Sequence, residues 1–348
     1  MTIAMTVLVR DDADILDAHL GYHLNAGVDV VLATGGGGEA TTEILETYAR
    51  EGVLRRVSRE DVHDEAAARE ELAHRAVAEA GADWIVASEA DEFWLPRGES
   101  FGDVLSVIPT RYTVVQALAR LFLPRPDDGR PAFERLTIRR SVYMAGEDGI
   151  ASLEQALRPV VRTDRRQAGR LDDQGDRLVP LRAWYPIEVL RLPFRSLEQA
   201  ERRLAGVRGE PPASWSGLER DALAAQRRGD LAAWYAERMT DEDAAGRGRE
   251  DGSLVEDTRL RDALERLSES APAGGSRRYP LPSEGARLSL APPDIVDDAA
   301  YAGECAAVHE VDYERLERHI TDLERRIASL ERRLWPRVVG KLSRVVGR

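Results

Sequence analysis

Along the first hundred residues the spacing of apolar positions switches back and forth between the unbroken runs of buried strands and the three-and-four spacing of helices. Residues 3–9 are apolar and β-branched, which predicts a first buried strand. Asp11, Asp12 and Asp14 follow and open a helix, in which Ile15, Leu16, His19, Leu20 and His23 fall at helical spacing. A second strand is expected over residues 28–33, a helix over 41–50, a short third strand over 53–57 and an Ala- and Glu-rich helix over 64–80. Trp84, Ile85, Val86 and Ala87 then make a fourth apolar run. This alternation predicts an α/β fold, a mostly parallel sheet flanked by helices with right-handed crossovers. Further on, residues 113–123 read as a strand, 137–140 and 153–162 as weaker elements around a loop at 146–149, and 214–239 as one helical segment.

Candidate chemistry gathers at the end of the fourth run. The stretch DWIVASEADEFWLP, residues 83–96, sets Glu89, Asp91 and Glu92 directly after a buried strand. Phe93, Trp94 and Leu95 return to apolar character, and Pro96 closes the segment. In an open α/β sheet ligands bind beyond the carboxyl ends of the strands, so acids there are placed to hold a divalent cation, Mg²⁺ or Mn²⁺, and through it phosphate oxygens. The competing reading makes them caps of the turn after a core strand. Gly35, Gly36, Gly37 and Gly38, with Glu39 behind them, follow the second strand, where backbone amides can approach a phosphate. The tract has neither the dinucleotide-binding glycine fingerprint nor the Walker lysine. His19 and His23 lie four apart, as two metal ligands on a helix would, but no third ligand follows at a recognisable offset, and the core reading is preferred.

The 83–96 stretch resembles the strand and Asp-x-Asp region of bacterial family 2 type glycosyltransferases, in the branch whose motif is approximately aDWii-x-x-DaDEFw-x-P. Asp83, Trp84, Ala90, Asp91, Glu92, Phe93, Trp94 and Pro96 match it, and Glu89 stands where the first Asp is usual. Asp14, Ile15, His23, Gly27, Val28, Asp29, Thr42, Glu43, Ile44 and Leu45 fit the opening of the same branch. YTVVQALARLFLP at 112–124, RSLEQAERR at 195–203 and GSLVEDTRLRDAL at 252–264 resemble its later segments. The resemblance implies a GT-A type (Rossmann-like) domain over residues 1–265. It also implies a nucleotide-sugar-dependent glycosyltransferase of surface polysaccharide or glycoconjugate synthesis. Glu89 and Asp91 would then hold the cation and the diphosphate, while a hydroxyl of a glycan or lipid-linked acceptor attacks the anomeric carbon. Asp91, Glu188 and Asp172 are the candidate catalytic carboxylates.

Two departures from the branch matter. Acids and a serine expected at the nucleotide give way to the glycine tract, and the histidines of its second half are missing, since all six in this chain lie at 19, 23, 63, 74, 309 and 319. Arg158, Arg162, Arg191 and Arg195 stand in that half instead, a cationic set able to neutralise a diphosphate without a metal. The alternative reading is therefore a catalytically silent relative that binds a partner enzyme or a glycan. Asp257 and Arg259 are expected as a pair that steadies the site or, preferably, as a partly buried salt bridge.

Charge and composition narrow the classes further. A net charge of -13 argues against nonspecific wrapping of nucleic acid. The single Cys305 excludes an internal disulfide and a cysteine zinc site. With no leader-like segment and no run of apolar residues long enough to span a bilayer, a cytoplasmic location is expected, peripheral at the inner face of the membrane if the C-terminal tail binds there. Residues 266–304, rich in Ser, Pro, Gly and Arg, are expected as a linker or extended arm. Over 305–335, Leu316, Leu323 and Leu330 alternate with Ile320, Ile327 and Leu334 in a heptad pattern that predicts a coiled-coil homodimer, ended by Pro336. Residues 336–348, PRVVGKLSRVVGR, carry the composition of a basic amphipathic tail suited to weak contact with an anionic membrane surface.

Overall fold

Burial on both faces explains why the first strands read as unbroken apolar runs. β1 (Ile3–Val9), β2 (Val30–Gly35), β3 (Leu54–Arg56) and β4 (Trp84–Glu89) pair in parallel in the order β3-β2-β1-β4. The computed structural model describes residues 1–58, 64–141, 157–163, 179–205, 207, 209–211, 215, 217–271, 278–282 and 295–346, in two units, Met1–Ile295 and Val296–Arg348. Alternate side chains of the strands separate into two packed layers. Met5, Val7, Val31, Ala33 and Val86 join the cluster of α1 (Ala13–Asn25) and α2 (Glu39–Arg50), whereas Ala4, Leu8, Leu32 and Ile85 join that of α3 (Glu65–Ala80).

Past β4 the sheet becomes mixed. β8 (Leu157–Arg162) is antiparallel to β4 and to β6 (Val114–Leu121); β10 (Ile187–Arg191) is parallel to β6, and β5 (Glu92–Pro96) closes the far edge antiparallel to β10. β9 (Pro180–Leu181) adds a short parallel pairing to β6, and β7 (Ile138–Arg140) pairs with β11 (Leu254–Glu256) as a separate ribbon. In a flat sheet β4 and β5 would lie four strand spacings apart, roughly 19 Å. The chain from Glu89 to Glu92 spans at most about 11 Å, so the sheet curls and brings the start of β5 back beside the carboxyl end of β4. This is the α/β architecture expected from the sequence, a mostly parallel sheet flanked by helices.

The remaining helices of the first unit are α4 (Phe101–Ser106), α5 (Ala132–Arg135), α6 (Leu197–Ala205), α7 (Gly217–Arg228), α8 (Leu231–Arg238), α9 (Glu242–Glu250) and α10 (Arg259–Glu269). Phe194, Trp215, Leu223, Leu231 and Trp234 hold α6, α7 and α8 together as a second apolar cluster. The single helix expected over 214–239 is two, because Gly229 takes a φ of 82° between α7 and α8, a conformation that ends a helix.

The described residues of the second unit all lie in one helix, α11 (Ile295–Val346), of 52 residues. It begins inside the stretch expected as an arm and runs on through Pro336, where an end was expected. A proline forfeits one i→i−4 hydrogen bond and crowds the preceding turn, which a long helix absorbs as a local defect rather than a terminus. No helix among the described residues is long and apolar enough to cross a membrane.

Candidate functional site

Glu89 ends β4, Asp91 lies in the two-residue turn and Glu92 begins β5, so the curl of the sheet draws all three carboxylates inside, where each is less than 5% exposed. Ions buried this deeply need partners. Glu89 receives Arg203 from α6 at 3.1 Å and Arg69 from α3 at 3.1 Å, with Arg10 of the β1–α1 loop at 3.9 Å. Asp91 Oδ2 accepts from Nη1 of the same Arg203. Glu92 receives Arg191 from the end of β10 at 3.0 Å and Arg158 from β8 at 3.4 Å, while its other oxygen accepts the Glu89 amide at 3.2 Å. Glu219 of α7 completes the cluster, bonded to Arg203 at 2.8 Å and to Arg191 at 3.1 Å.

Counted with Glu65, which Arg10 holds, the carboxylates Glu65, Glu89, Asp91, Glu92 and Glu219 face the guanidiniums of Arg10, Arg69, Arg158, Arg191 and Arg203, a balanced set. Burial works to raise the pKa of Asp91, but Arg203, Arg191 and Arg195 overcome it and hold the group well below the usual carboxylate range. For Glu89 burial is likewise outweighed, by Arg203 and then Arg69 and Arg10, and its pKa is lowered. Glu92 goes the other way. Burial raises it, and the neighbouring Glu89 and Asp91 add to the rise against Arg191 and Arg158. Asp91 Oδ1 is buried and has no hydrogen-bond partner among the described residues.

Around this core the strand ends place two further groups. Arg195, 1% exposed, clamps Asp14 at 2.6 and 2.9 Å and reaches Asp12 at 3.0 Å, fixing the start of α1 to the end of β10. Beside it opens a cavity of about 490 Å³ lined by Asp14, Asp17, Phe133, Arg135, Arg195 and Tyr279. In the glycine tract, Gly35 takes a φ of 94°, and a Cβ on Gly37 would come within 2.5 Å of the Arg10 carbonyl oxygen. Gly38 donates its amide to Asp11 Oδ1 at 3.4 Å, at the N-terminus of α2, and Glu39 is exposed behind it. The tract thus brings the two loops into contact, and a carboxylate of the chain already faces the helix end where a phosphate was expected.

The other sequence candidates separate from this cluster. Glu188 and Arg191 lie three apart on β10, on opposite faces of the sheet. Glu188 is 1% exposed and tied to Arg259 at 2.7 Å, Arg97 at 2.8 Å and Arg120 at 2.9 Å; burial raises its pKa, the three guanidiniums outweigh it, and the group stays well below the ordinary range. It is thus a knot in the opposite layer, not a free base beside the ledge. Arg162, paired with Trp84 at the amino end of β4, stacks on that indole and donates to the Ile108 and Pro109 carbonyls, away from the acids. His23 donates from Nδ1 to the His19 carbonyl and accepts the Trp94 amide at Nε2, and His19 meets Ser88 at 3.2 Å. Both are buried core histidines, His19 lowered to about 3 by burial. Asp257 and Arg259 form a buried salt bridge at 2.7 Å that Arg139 extends. Asp172 lies outside the described residues.

A divalent cation between Glu89 and Asp91 does not fit the residues present, because the Arg203 guanidinium already bonds both. Among the described residues no group of three or more His, Cys, Asp or Glu side chains is arranged to hold a metal. Sequence reasoning selected Arg195 from RSLEQAERR and passed over Arg203, although Gln199 and Arg203 share a helix face four residues apart and Gln199 accepts the Arg195 amide. Glu219, Arg10 and Arg69 were also missed. The signal for Glu219 was its place on the face that carries Ala222 and Leu223.

No protein-family model matches the sequence, and no curated protein sequence does either. Among solved structures, S. aureus TarS residues 1–349 in complex with UDP-GlcNAc aligns over 67% of this chain and 73% of that one, at 12% identity and a TM-score of 0.32. Against the longer TarS structure the chain covers 66% of its own length and 43% of the other, at 10% identity and a TM-score of 0.32. Mannose-1-phosphate geranyltransferase from Thermus thermophilus aligns over 70% of each chain at 14% identity and a TM-score of 0.24. The chain thus spans under half the length of the longer TarS. At these scores the likeness lends no support to any residue of the site, and the fold rests on the strand order and register of the chain itself.

Proposed function

We propose that this chain is a nucleotide-sugar-dependent glycosyltransferase, with the donor diphosphate at the carboxyl ends of β1, β2 and β4 and the acceptor entering from the cavity beside Arg195. The observation that carries the reading is the buried, charge-balanced cluster at that edge. Burying ion pairs contributes little net stability compared with apolar packing of the same volume, so Glu89, Asp91, Glu92, Glu219, Arg158, Arg191 and Arg203, all at most 11% exposed and gathered at the ligand end of an α/β sheet, point to use rather than to folding. Arg10 and Arg69 form its rim, with 31% and 30% of their side chains exposed. A diphosphate entering there competes with Glu65 and Glu89 for their guanidiniums.

In the transfer, the oxygen of a glycan or lipid-linked acceptor hydroxyl bonds to the anomeric carbon as the bond from that carbon to the diphosphate oxygen breaks. The nucleoside diphosphate leaves with the bonding pair, and the hydroxyl proton passes to a carboxylate. Asp91 and Glu188, held below the usual range, are weak bases; Glu92, whose pKa burial raises, is closer to what a general base needs. Asp91 Oδ1, lacking a partner among the described residues, is placed to accept a sugar hydroxyl and orient it. The cavity has the size of a small-molecule site.

A panel of common nucleotide-sugars, assayed for nucleoside diphosphate release, tests the reading. Release is expected with one donor, and Asp91→Asn should reduce it by roughly 10²-fold or more. No release across the panel, with no rise in melting temperature on adding nucleoside diphosphates, would defeat it. A second reading, a glycan- or partner-binding body without transfer, is favoured by the guanidiniums that already fill most of the carboxylate oxygens. It predicts saccharide binding at the cavity without diphosphate release.

A further inference from the structure

We infer that Arg203 is a built-in substitute for a divalent cation, and that the site binds the diphosphate of its ligand with fixed arginines and no metal. The diphosphate part rests on the function proposed above; the placement of Arg203 does not. Nη2 of Arg203 donates to Glu89 at 3.1 Å and to Glu219 at 2.8 Å, and Nη1 donates to Asp91 and to the Pro193 carbonyl at 3.5 Å. Three carboxylates from three elements therefore share one guanidinium; as they stand around it they are not arranged to hold a metal, and Arg203 supplies the positive charge they need.

Its surroundings keep the guanidinium there. The Arg203 side chain is 8% exposed, packed near the Trp215 ring with 5.4 Å from Cζ to the centroid. Gln199, one turn earlier on α6, bonds the Arg195 amide and so fixes the rotation of the helix. Charge then decides the occupant. The five carboxylates and five guanidiniums of the cluster already balance, so a divalent cation added among them would bring two uncompensated charges into a site shielded from water. Without Arg203 the same site holds one carboxylate in excess, and Glu89, Asp91 and Glu219 lose their shared partner.

Arg203 differs from a metal in a way that matters for binding. A bound cation presents open coordination positions to phosphate oxygens, whereas the guanidinium directs its hydrogens in a plane and spends most of them on the three acids. The diphosphate oxygens are therefore met first by Arg10 and Arg69 at the rim, with Arg203 supplying charge from behind. Binding should depend on salt, not on chelators.

Titration of the full chain with Mn²⁺, followed by the paramagnetic resonance of the free ion, tests the placement without any nucleotide. The wild type should bind no Mn²⁺ in a manner sensitive to Asp91→Asn. Arg203→Ala should bind it at least roughly tenfold more tightly than wild type, and Arg203→Ala/Asp91→Asn should lose the gain. Mn²⁺ binding by wild type that Asp91→Asn removes, or no gain in Arg203→Ala, would overturn the assignment. If Arg203→Ala does not fold, the wild-type titration still decides, and Arg203→Lys, which keeps the charge, should also exclude Mn²⁺. In a parallel arm, nucleoside diphosphate binding to the wild type should change less than about twofold on adding EDTA, and a requirement for Mn²⁺ there would overturn the metal-free part. Failure of every nucleoside diphosphate to bind, with or without Mn²⁺, would sink the proposed function while leaving the Mn²⁺ comparison to judge Arg203.

Discussion

Glu188 and Asp257 show what the buried ions outside the ledge do. Glu188 ties Arg97, Arg120 and Arg259, and Arg259 in turn ties Asp257, which also holds Arg139. Removing Glu188 leaves three guanidiniums facing a vacated space, so Glu188→Ala should lower the free energy of unfolding in urea by about 3 to 5 kcal/mol. A stable variant that lost only turnover would instead mark Glu188 as a base. Asp257 gives a pH test. Burial tends to raise its pKa, but Arg259 and Arg139 lower it from 3.8 to about 2. The folded value lies below the unfolded one, so this contribution is complete above pH about 4 and is lost as the pH falls from there toward 2. Its size is about 2 kcal/mol. Urea unfolding of wild type and Asp257→Asn across that range should show a loss on acidification that is smaller in the variant by this amount. Identical slopes would show that the pair does not couple folding to protonation.

Helix α9 carries two glycines that sequence alone does not distinguish. A Cβ on Gly246 meets nothing within 4 Å, whereas one on Gly248 would fall 2.4 Å from the Leu254 side chain of β11. Gly246→Ala should therefore stabilise the protein by up to about 1 kcal/mol through helix propensity. Gly248→Ala should destabilise it by about 1 to 3 kcal/mol by forcing β11 away. Thermal unfolding of the two variants checks both signs. The same limit governs what was legible in the sequence. β1, β4, α3 and the acidic ledge were readable because burial on both faces, helical period and strand-end acids leave local marks. The glycine tract was readable as a tight approach, but what it approaches, the Arg10 carbonyl, is set by tertiary contact. Arg203 meets Asp91 across 112 residues of sequence, and no periodicity reports such a pairing. Only the requirement that buried acids find cations pointed toward it.

At the scale of the whole molecule, α11 carries a stripe that remains without apolar cover. Ile320, Leu323, Ile327 and Leu330 are each between 41% and 56% exposed. With Ile320 and Ile327 at a positions and Leu323 and Leu330 at d, the e positions are Glu317, Glu324 and Glu331, and the g positions are His319, Arg326 and Arg333. In a parallel pair each g residue faces the e residue of the next heptad on the other strand, which sets Arg326 opposite Glu331 and His319 opposite Glu324. In an antiparallel pair e faces e and g faces g, which sets like charges together. In a dimer built on this stripe the charge order would favour the parallel arrangement, and a pairing of about three heptads would be sensitive to those charges. We expect the full chain to be a dimer by light scattering and Glu324→Arg/Glu331→Arg to be a monomer, since every g–e pair then becomes repulsive or unpaired. Adding Arg326→Glu to that variant should recover part of the dimer. A monomeric wild type, or a dimer indifferent to the reversal, would mean that the stripe serves another surface.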